Sequence, residues 1–501
     1  MRFFKYIFAS LLILSEATFA AEFPVGSPAS ERLFELAREL YGRGLLDKFE
    51  YSNPGAFEPG DSALSISLVK KYEMLADDFG IRDKSPRVSA GLWLLESARF
   101  GDKNKNYLKA FPSLKIVFGR KFSANISYRI DSELTNDPRY DGKAWRGVSG
   151  MAENATIDFS DGPFAARFGI ERLSWGHGAY GNLMFSNQAM PMPVLGFSYR
   201  RSIFEFQSVM GFLSPLEDQL DLMENDTSLF TSQQRYLSAH SLTVRPVDGL
   251  SVSLREMVIY GGPGRRLEPA YLFPLIWYHG EQLNSRMDDN TMLGLAADYR
   301  WRGRLWTYGE ILIDDYQAEK ETRGGYEPDQ LGFLGGMELY DFPIARAGAA
   351  VEYTRVTNWT YNQARAHNRY INANFPIGFP DGPDVDRFGW RLWHWPADFV
   401  KVSYFGSYSR HGEGRIDTPW SRPWLDSDRY SEPFPTGVIR EKVANSLEAM
   451  ILWRSGFWSN LRLDYTDINN VENIPGTRET IWEFHVNIGL KLPPFSWELR
   501  P

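Results

Sequence analysis

From about Leu114 to the C-terminus, apolar residues recur at a spacing of two in short runs separated by tight turns. That is the period of a pleated strand, whose successive side chains face opposite sides of a sheet. In 156–172, Ile157 and Phe159 are followed by Ser160-Asp161-Gly162-Pro163 and then by Phe164, Ala166, Phe168 and Ile170, which predicts a hairpin. The pattern returns at Leu242 and Val244, at Leu250, Val252 and Leu254 after a turn at 246–249, and at Leu461, Leu463 and Tyr465. It appears once more at Trp482, Phe484, Val486, Ile488 and Leu490. A membrane barrel differs from a soluble sandwich in strand length and aromatic content. A tilted strand needs about 9 to 11 residues to cross the hydrocarbon, and aromatic girdles mark both interfaces. The 16 Trp, 25 Tyr and 34 Phe supply them.

Residues 1–20 have the parts of a signal peptide: Arg2 and Lys5, an apolar stretch from Tyr6 to Leu14, and small residues Ala17 and Ala20 before a cut at Ala21. The apolar part is too short to span a membrane, so export is expected. The formal charge is −8, and subtracting the leader's +1 (Arg2, Lys5, Glu16) leaves −9. Nucleic acid is therefore not expected as a partner, since it needs a basic stripe. A mean hydropathy of −0.37 opposes a helical membrane protein but suits a barrel with a polar inner face and long loops. The absence of cysteine removes disulfides, thiolate metal sites and cysteine nucleophiles.

The segment 21–110 reads differently. Leu33, Leu36, Ala37 and Leu40 share one helical face, with Ser30 as candidate N-cap and Gly42 or Gly44 as stop. A second helix is expected from Asp61 to Asp78, with Leu64, Leu68, Tyr72 and Leu75 as its stripe. Ala90 to Ala98 fits a third, although Val88 to Leu95 fits a first strand equally. These helices are expected to cap the periplasmic mouth of the barrel. The remainder, 111–501, gives about 16 to 18 strands at roughly 20 to 24 residues per strand and loop. The expected fold is thus mainly β, a transmembrane antiparallel β-barrel of about 16 to 18 strands with a small N-terminal helical region. Val356 to Ala397, rich in Pro and Asn, reads mostly as a long loop on the surface or folded into the lumen.

Three local patterns, in their order and spacing, resemble the capsule-assembly Wzi family of Gram-negative outer-membrane proteins. The first is 175–193, with Trp175, Gly176, Ser186 and Asn187. The second runs from Glu268-Pro269-Ala270-Tyr271-Leu272-Phe273-Pro274-Leu275 through Asn290 to Gly294 and on to Glu310, Asp314 and Asp315. The third is 378–386, with Asp384 and Asp386. The resemblance implies a barrel of about eighteen strands, capped by helices on the periplasmic side, that helps assemble or attach surface polysaccharide and does no chemistry. It implies the cell outer membrane as location, with outer-membrane lipids and, during insertion, the barrel assembly machinery as further partners. One departure is the end of the chain: such barrels usually finish on an aromatic residue, whereas this one ends 495–501, leaving Phe495 or Trp497 to take that part.

Glycan recognition needs flat apolar faces beside charged or amide groups. Trp390, Arg391, Trp393 and Trp395 have that chemistry, as do Trp420, Arg422, Trp424, Arg429 and Tyr430 in what reads as a long extracellular loop. Interfacial girdles or self-packing of the loop are the alternative for both stretches. Arg410, Arg415, Arg422 and Arg429 offer charge for an acidic glycan. Glu310, Asp314 and Asp315 have the residue type of a glycosidase pair, but a lumenal ion network accounts for them more simply. Asp381, Asp384 and Asp386 do not match EF-hand spacing, Ser186 and Ser214 lack a Gly-x-Ser-x-Gly setting, and the seven histidines are scattered. No catalytic residue, metal or cofactor is expected. A porin-like channel for oligosaccharides or organic acids is the alternative function, separated from the first by conductance.

Overall fold

The structure is a computed structural model that describes residues 28–45, 87–102, 104–119, 121–137, 140, 142–216, 233–317, 326–426, 430–454 and 457–498. Eighteen antiparallel strands form one closed sheet. They are β1 Arg87–Phe100, β2 Lys105–Phe118, β3 Phe122–Asp131, β4 Ser149–Asp161, β5 Phe164–Glu171 and β6 Met192–Arg201. Then come β7 Phe204–Leu216, β8 Gln233–Val244, β9 Leu250–Gly261, β10 Asn290–Trp301, β11 Leu305–Asp315 and β12 Gln330–Tyr340. The last six are β13 Ala347–Val356, β14 Val385–Ala397, β15 Val400–His411, β16 Arg440–Arg454, β17 Phe457–Asn469 and β18 Arg478–Glu498. Each strand pairs with its sequence neighbour, and β18 closes on β1 from Arg87↔Glu498 to Phe100↔Phe484. Closure removes the sheet edge that a bilayer could not solvate.

The period of two becomes an inside and an outside. Leu254, Leu295, Phe333, Leu461 and Ile488 stand exposed on the outer wall, with Trp301, Trp482, Phe495 and Trp497 among the exposed aromatics. Alternate positions carry buried polar groups such as Asp158, Arg167, Glu310, Glu338 and Glu352. An outward apolar belt around a polar interior is the pattern of an outer-membrane barrel. The predicted hairpin is present, with Asp161 paired to Phe164 across Gly162 and Pro163. Phe495 and Trp497 lie on β18 at its seam with β1.

At one end the strands are joined by turns of two to six residues, and at the other by connections such as 172–191, 262–289, 357–384 and 412–439. Short turns face the periplasm and long connections the exterior in barrels of this kind. The barrel starts at Arg87, not at 111, so the boundary expected there is corrected: β1 and the first six residues of β2 fall inside the stretch read as helical, and 90–98 is strand. The signal peptide and the helix expected over 61–78 lie outside the described residues. The expected loop over 356–397 is corrected in part, since 385–397 forms β14.

The helix α1, Pro28–Gly42, sits in the lumen at the short-turn end. Ser30 lies in its first turn rather than at its cap. Its end follows the expectation: Gly44 takes φ +72°, and Leu45 N donates to Leu40 O at 2.8 Å, closing the last turn. Leu36, Ala37, Leu40 and Tyr41 are buried, as expected for the apolar face. The opposite face is charged and equally buried. Arg38 donates to Glu338 at 2.7 Å, to His177 O at 2.6 Å and to the Tyr308 hydroxyl at 2.9 Å. Arg391 reaches the same Glu338 at 3.1 Å, Tyr41 OH donates to Asp298 at 2.8 Å, and Trp395 Nε1 donates to Glu39 at 3.2 Å. Arg43 bonds Asp341 in the β12–β13 turn at 2.8 Å. Partial burial opposes ionisation of Asp341, but its bond to Arg43 prevails and holds the carboxyl below its ordinary range.

Removing one partner of a buried ion pair costs about 3 to 5 kcal/mol. Arg38→Ala leaves Glu338 one arginine and the Tyr340 hydroxyl, so we expect a loss of about 3 kcal/mol in urea unfolding of the refolded protein, with α1 newly open to protease. An unchanged midpoint would show that this network does not hold the helix.

Candidate functional site

Two long connections fold inward and fill half of the lumen, and the wall supplies acceptors for their backbone. Glu310 on β11 accepts from Leu183 N at 3.0 Å. Glu352 on β13 accepts from Ala179 N at 2.6 Å, Tyr180 N at 3.2 Å and Tyr308 OH at 2.7 Å. Asp314 accepts from Tyr361 N at 2.6 Å. The two loops also hold each other: Ser186 N donates to Ile377 O at 2.9 Å, and Tyr361 OH donates to Leu183 O at 2.5 Å. Arg235 on β8 does the converse, donating to the carbonyls of His367, Ile371 and Ser214 at 2.8, 3.0 and 3.1 Å.

The residues singled out by family resemblance therefore gather at the joints of this filling. Gly176 has φ +135°, and a Cβ there would stand 1.7 Å from Glu310 Oε1. Trp175 packs edge-on against Phe185 at 4.8 Å, Ser186 is fully buried, and Asn187 follows it on the same loop. Leu312 faces the lumen with Glu310 and Asp314 and packs in the main core, so all three are inward. Asp315 accepts from Gln317 at 3.0 Å. Asp384 accepts from Gly414 N at 2.9 Å and Thr436 N at 3.0 Å, tying the loop 412–439 to the one before β14. Burial raises its carboxyl above the ordinary range, against the hydrogen bonds that lower it. Asp386 holds Arg410 at 2.6 Å and Asp381 holds Arg387 at 2.7 Å. The three aspartates thus serve three separate partners.

The aromatic stretches part ways. Trp393 and Trp395 on β14 are buried at the short-turn end beside α1 and Tyr340, with Arg391 on Glu338, while Trp390 packs by Phe388 at 5.9 Å. These four lie on a wall strand, and the connection 172–191 reaches them through Tyr180, whose hydroxyl donates to Trp390 O at 3.4 Å. Trp420 and Trp424 lie in the loop 412–439, where Trp359 meets them edge-on at 5.0 and 5.5 Å. Glu432 accepts from Trp359 Nε1 and Tyr430 OH, both at 3.0 Å. Trp424 is buried and Trp420 half-buried, with Arg422 exposed beside it. Arg429 lies outside the described residues. Arg410 and Arg415 are spent on structure, the latter on Gly412 O and Gly414 O at 2.7 Å.

The other half of the lumen holds a cavity of about 560 Å³ against β1–β3 and β15–β18. Leu95, Phe111 and Trp458 form its apolar base, and Arg99, Lys109, Arg129 and Arg462 project from its walls. Lys109 pairs with Glu133 at 2.5 Å and Arg462 with Asp464 at 2.7 Å. Asn460 is buried, and its Oδ1 has no hydrogen-bond partner among the described residues. Arg99 and Arg129 stand near the long-connection ends of β1 and β3, while Trp458 and Asn460 stand at the short-turn end of β17 beside Glu35 of α1, so the cavity runs from α1 toward the exterior. Sequence reasoning missed it because its residues come from both ends of the chain. Their signal is the inward register of Glu483, His485 and Asn487, alternating with the outward Trp482, Phe484 and Val486.

A family model for the capsule assembly protein Wzi matches residues 99–479. The chain belongs to this family. Among solved structures, Escherichia coli Wzi, described as a carbohydrate-binding β-barrel of the outer membrane involved in group 1 capsule assembly, is similar with TM-score 0.59 at 13% identity. That match covers 96% of this chain and 99% of that one. Pseudomonas aeruginosa OprD gives TM-score 0.46 at 10% identity, over 82% of this chain and 95% of that one. No curated relative matches by sequence.

Two outcomes follow from the loop joints. Gly176→Ala forces a side chain into Glu310 and an unfavourable φ, so loop 172–191 should become a site of protease nicking in a barrel that still forms. Glu327, in the connection before β12, is pushed up to about 7 by burial first and by Asp315 second, with Arg422 opposing. The folded state thus binds the proton more tightly, and stability rises as pH falls through about 7 and levels off below the ordinary value of 4.5. Connection 316–329 should resist proteolysis better at pH 5.5 than at pH 8, and Glu327→Gln should abolish the difference.

Proposed function

We propose that this Wzi-family barrel holds capsular polysaccharide at the cell surface, without catalysis, in the lumenal cavity and on the loop 412–439. The observation that carries the reading is the division of the lumen. One half is filled by α1 and two anchored loops, and the other keeps a cavity whose apolar base and mixed cationic, acidic and amide walls match the ring faces and hydroxyls of sugars. The description of Escherichia coli Wzi as carbohydrate-binding supports it. So does the half-buried Trp420 with the exposed Arg422 beside it. The carboxylates near these surfaces are engaged in holding amides and arginines, which is a structural use rather than an acid–base pair.

Losing a hydrogen bond to a charged group costs about 1.5 to 3 kcal/mol, which is about tenfold or more in Kd. Arg99→Ala and Arg462→Ala should each weaken binding of purified capsular oligosaccharide to the refolded protein by about that factor, and Trp420→Ala, which removes a flat apolar face, should weaken it in the same direction, all read by calorimetry. The full-length protein should show little conductance in planar bilayers. Unchanged oligosaccharide binding in all three variants, or steady conductance, would reject the reading in favour of transport.

A further inference from the structure

The connection between β9 and β10 runs down the outside of the barrel. It contains two short helices, α2 Pro269–Leu272 and α3 Tyr278–Ser285. On β8 and β9 the even-numbered residues face outward, as the exposed Leu242 and Leu254 show, while Leu237, Ala239, Met257 and Ile259 belong to the inner core. His240 and Glu256 are therefore on the outer wall. They are cross-strand neighbours, 3.2 Å apart, and Glu256 is the seventh residue of a twelve-residue strand. A strand of about 9 to 11 residues spans the hydrocarbon, so this pair sits at membrane depth, where an ionisable group facing lipid is costly.

The lobe covers it. Tyr278 N and His279 N donate to Glu256 at 3.0 and 2.9 Å, and the Tyr278 ring lies 4.6 Å from that of His240. Above them, Tyr271 packs on Tyr260 at 4.9 Å, and Asp289 accepts from Tyr271 OH at 2.8 Å and Arg265 at 3.0 Å. Glu256, Val258 and Tyr260 are buried although they point away from the lumen. The surface that replaces theirs consists of Leu272, Phe273, Leu275, Trp277 and Leu283, which are 44%, 58%, 71%, 59% and 66% exposed. Directly below, the cross-strand pair Leu254 and Leu295 continues the exposed apolar belt. Arg266 and Arg286, both exposed, flank the lobe toward the strand ends, where cationic side chains reach headgroups.

We propose that the lobe 262–289 is immersed in the outer leaflet. Its five large apolar side chains lie among lipid acyl chains, and it forms the lipid boundary over a polar patch of the wall. Continuity with the belt and the polar chemistry beneath commit the surface to lipid rather than to water or a protein. The Glu268-to-Leu275 motif is then a membrane-contact element, outside the glycan site.

The chain has no cysteine, so single spin labels report unambiguously. Leu275→Cys and Leu283→Cys, labelled and refolded into phosphatidylethanolamine–phosphatidylglycerol vesicles, should collide with oxygen in preference to a water-soluble nickel chelate. Their ratio should match Leu295→Cys in the belt and lie severalfold above Asp417→Cys in the loop 412–439. Folding of each variant is read from heat-modifiable gel mobility. A ratio like that of position 417 would place the lobe in water, and low collision with both reagents would place it against a protein. Either result overturns the proposal.

Discussion

A buried carboxylate facing a backbone amide is the interaction on which the filled half of this barrel depends. Loop backbone taken out of water must find partners for its N–H groups, and each one left unpaired costs about 1 to 3 kcal/mol. Glu310, Glu352, Asp314 and Asp384 meet that need from fixed positions on or beside strands. A bond to an ionised acceptor is stronger than a neutral one, so wall and loop specify each other's position. The same logic with reversed sign places Arg235 among three carbonyls of the loop 357–384, those of His367, Arg369 and Ile371. The acidic residues that look catalytic in the sequence are therefore the means by which an irregular segment is held inside a regular wall.

The barrel divides its circumference by use. Against β6–β14 the lumen is packed with aromatic and aliphatic side chains from α1 and two loops. Against β1–β3 and β15–β18 it retains a polar cavity. On the outside, His240 and Glu256 on β8 and β9 interrupt the apolar belt, and a lobe covers them and restores an apolar exterior. Filling, cavity and lobe each answer the requirement that polar backbone and charge be satisfied out of water.

How much of this could be read from the chain depended on the range of the interaction involved. Strand periodicity is local, and the runs at 157–170, 242–254, 461–465 and 482–490 occupy β4–β5, β8–β9, β17 and β18 as expected. The end of α1 was legible at Gly42 and Gly44 for the same reason. The start of the barrel was misplaced because Trp93, Leu94 and Leu95 form an apolar run that fits helix and strand alike. The Trp390-to-Trp395 stretch suggested sugar contact by composition, yet its period of two, with Arg391, Trp393 and Trp395 on one face, marks a strand. Glu310, Asp314 and Asp384 could be recognised as important positions but not assigned their partners, since these amides come from loops 30 to 127 residues away in sequence. Nothing local distinguishes a loop that turns inward from one that descends the outer wall.

The helix α1 precedes every strand in the chain, yet its anchors are far along it: Glu338 is 300 residues from Arg38, and Trp395 is 356 from Glu39. Contacts of such separation carry the entropy of closing a long loop unless the intervening chain is already ordered. The seat of α1 is made by strands that lie far along the chain, and docking before they are ordered carries the entropy of closing those long loops. Sealing of the short-turn end by α1 therefore depends on β10 to β15 having found their register.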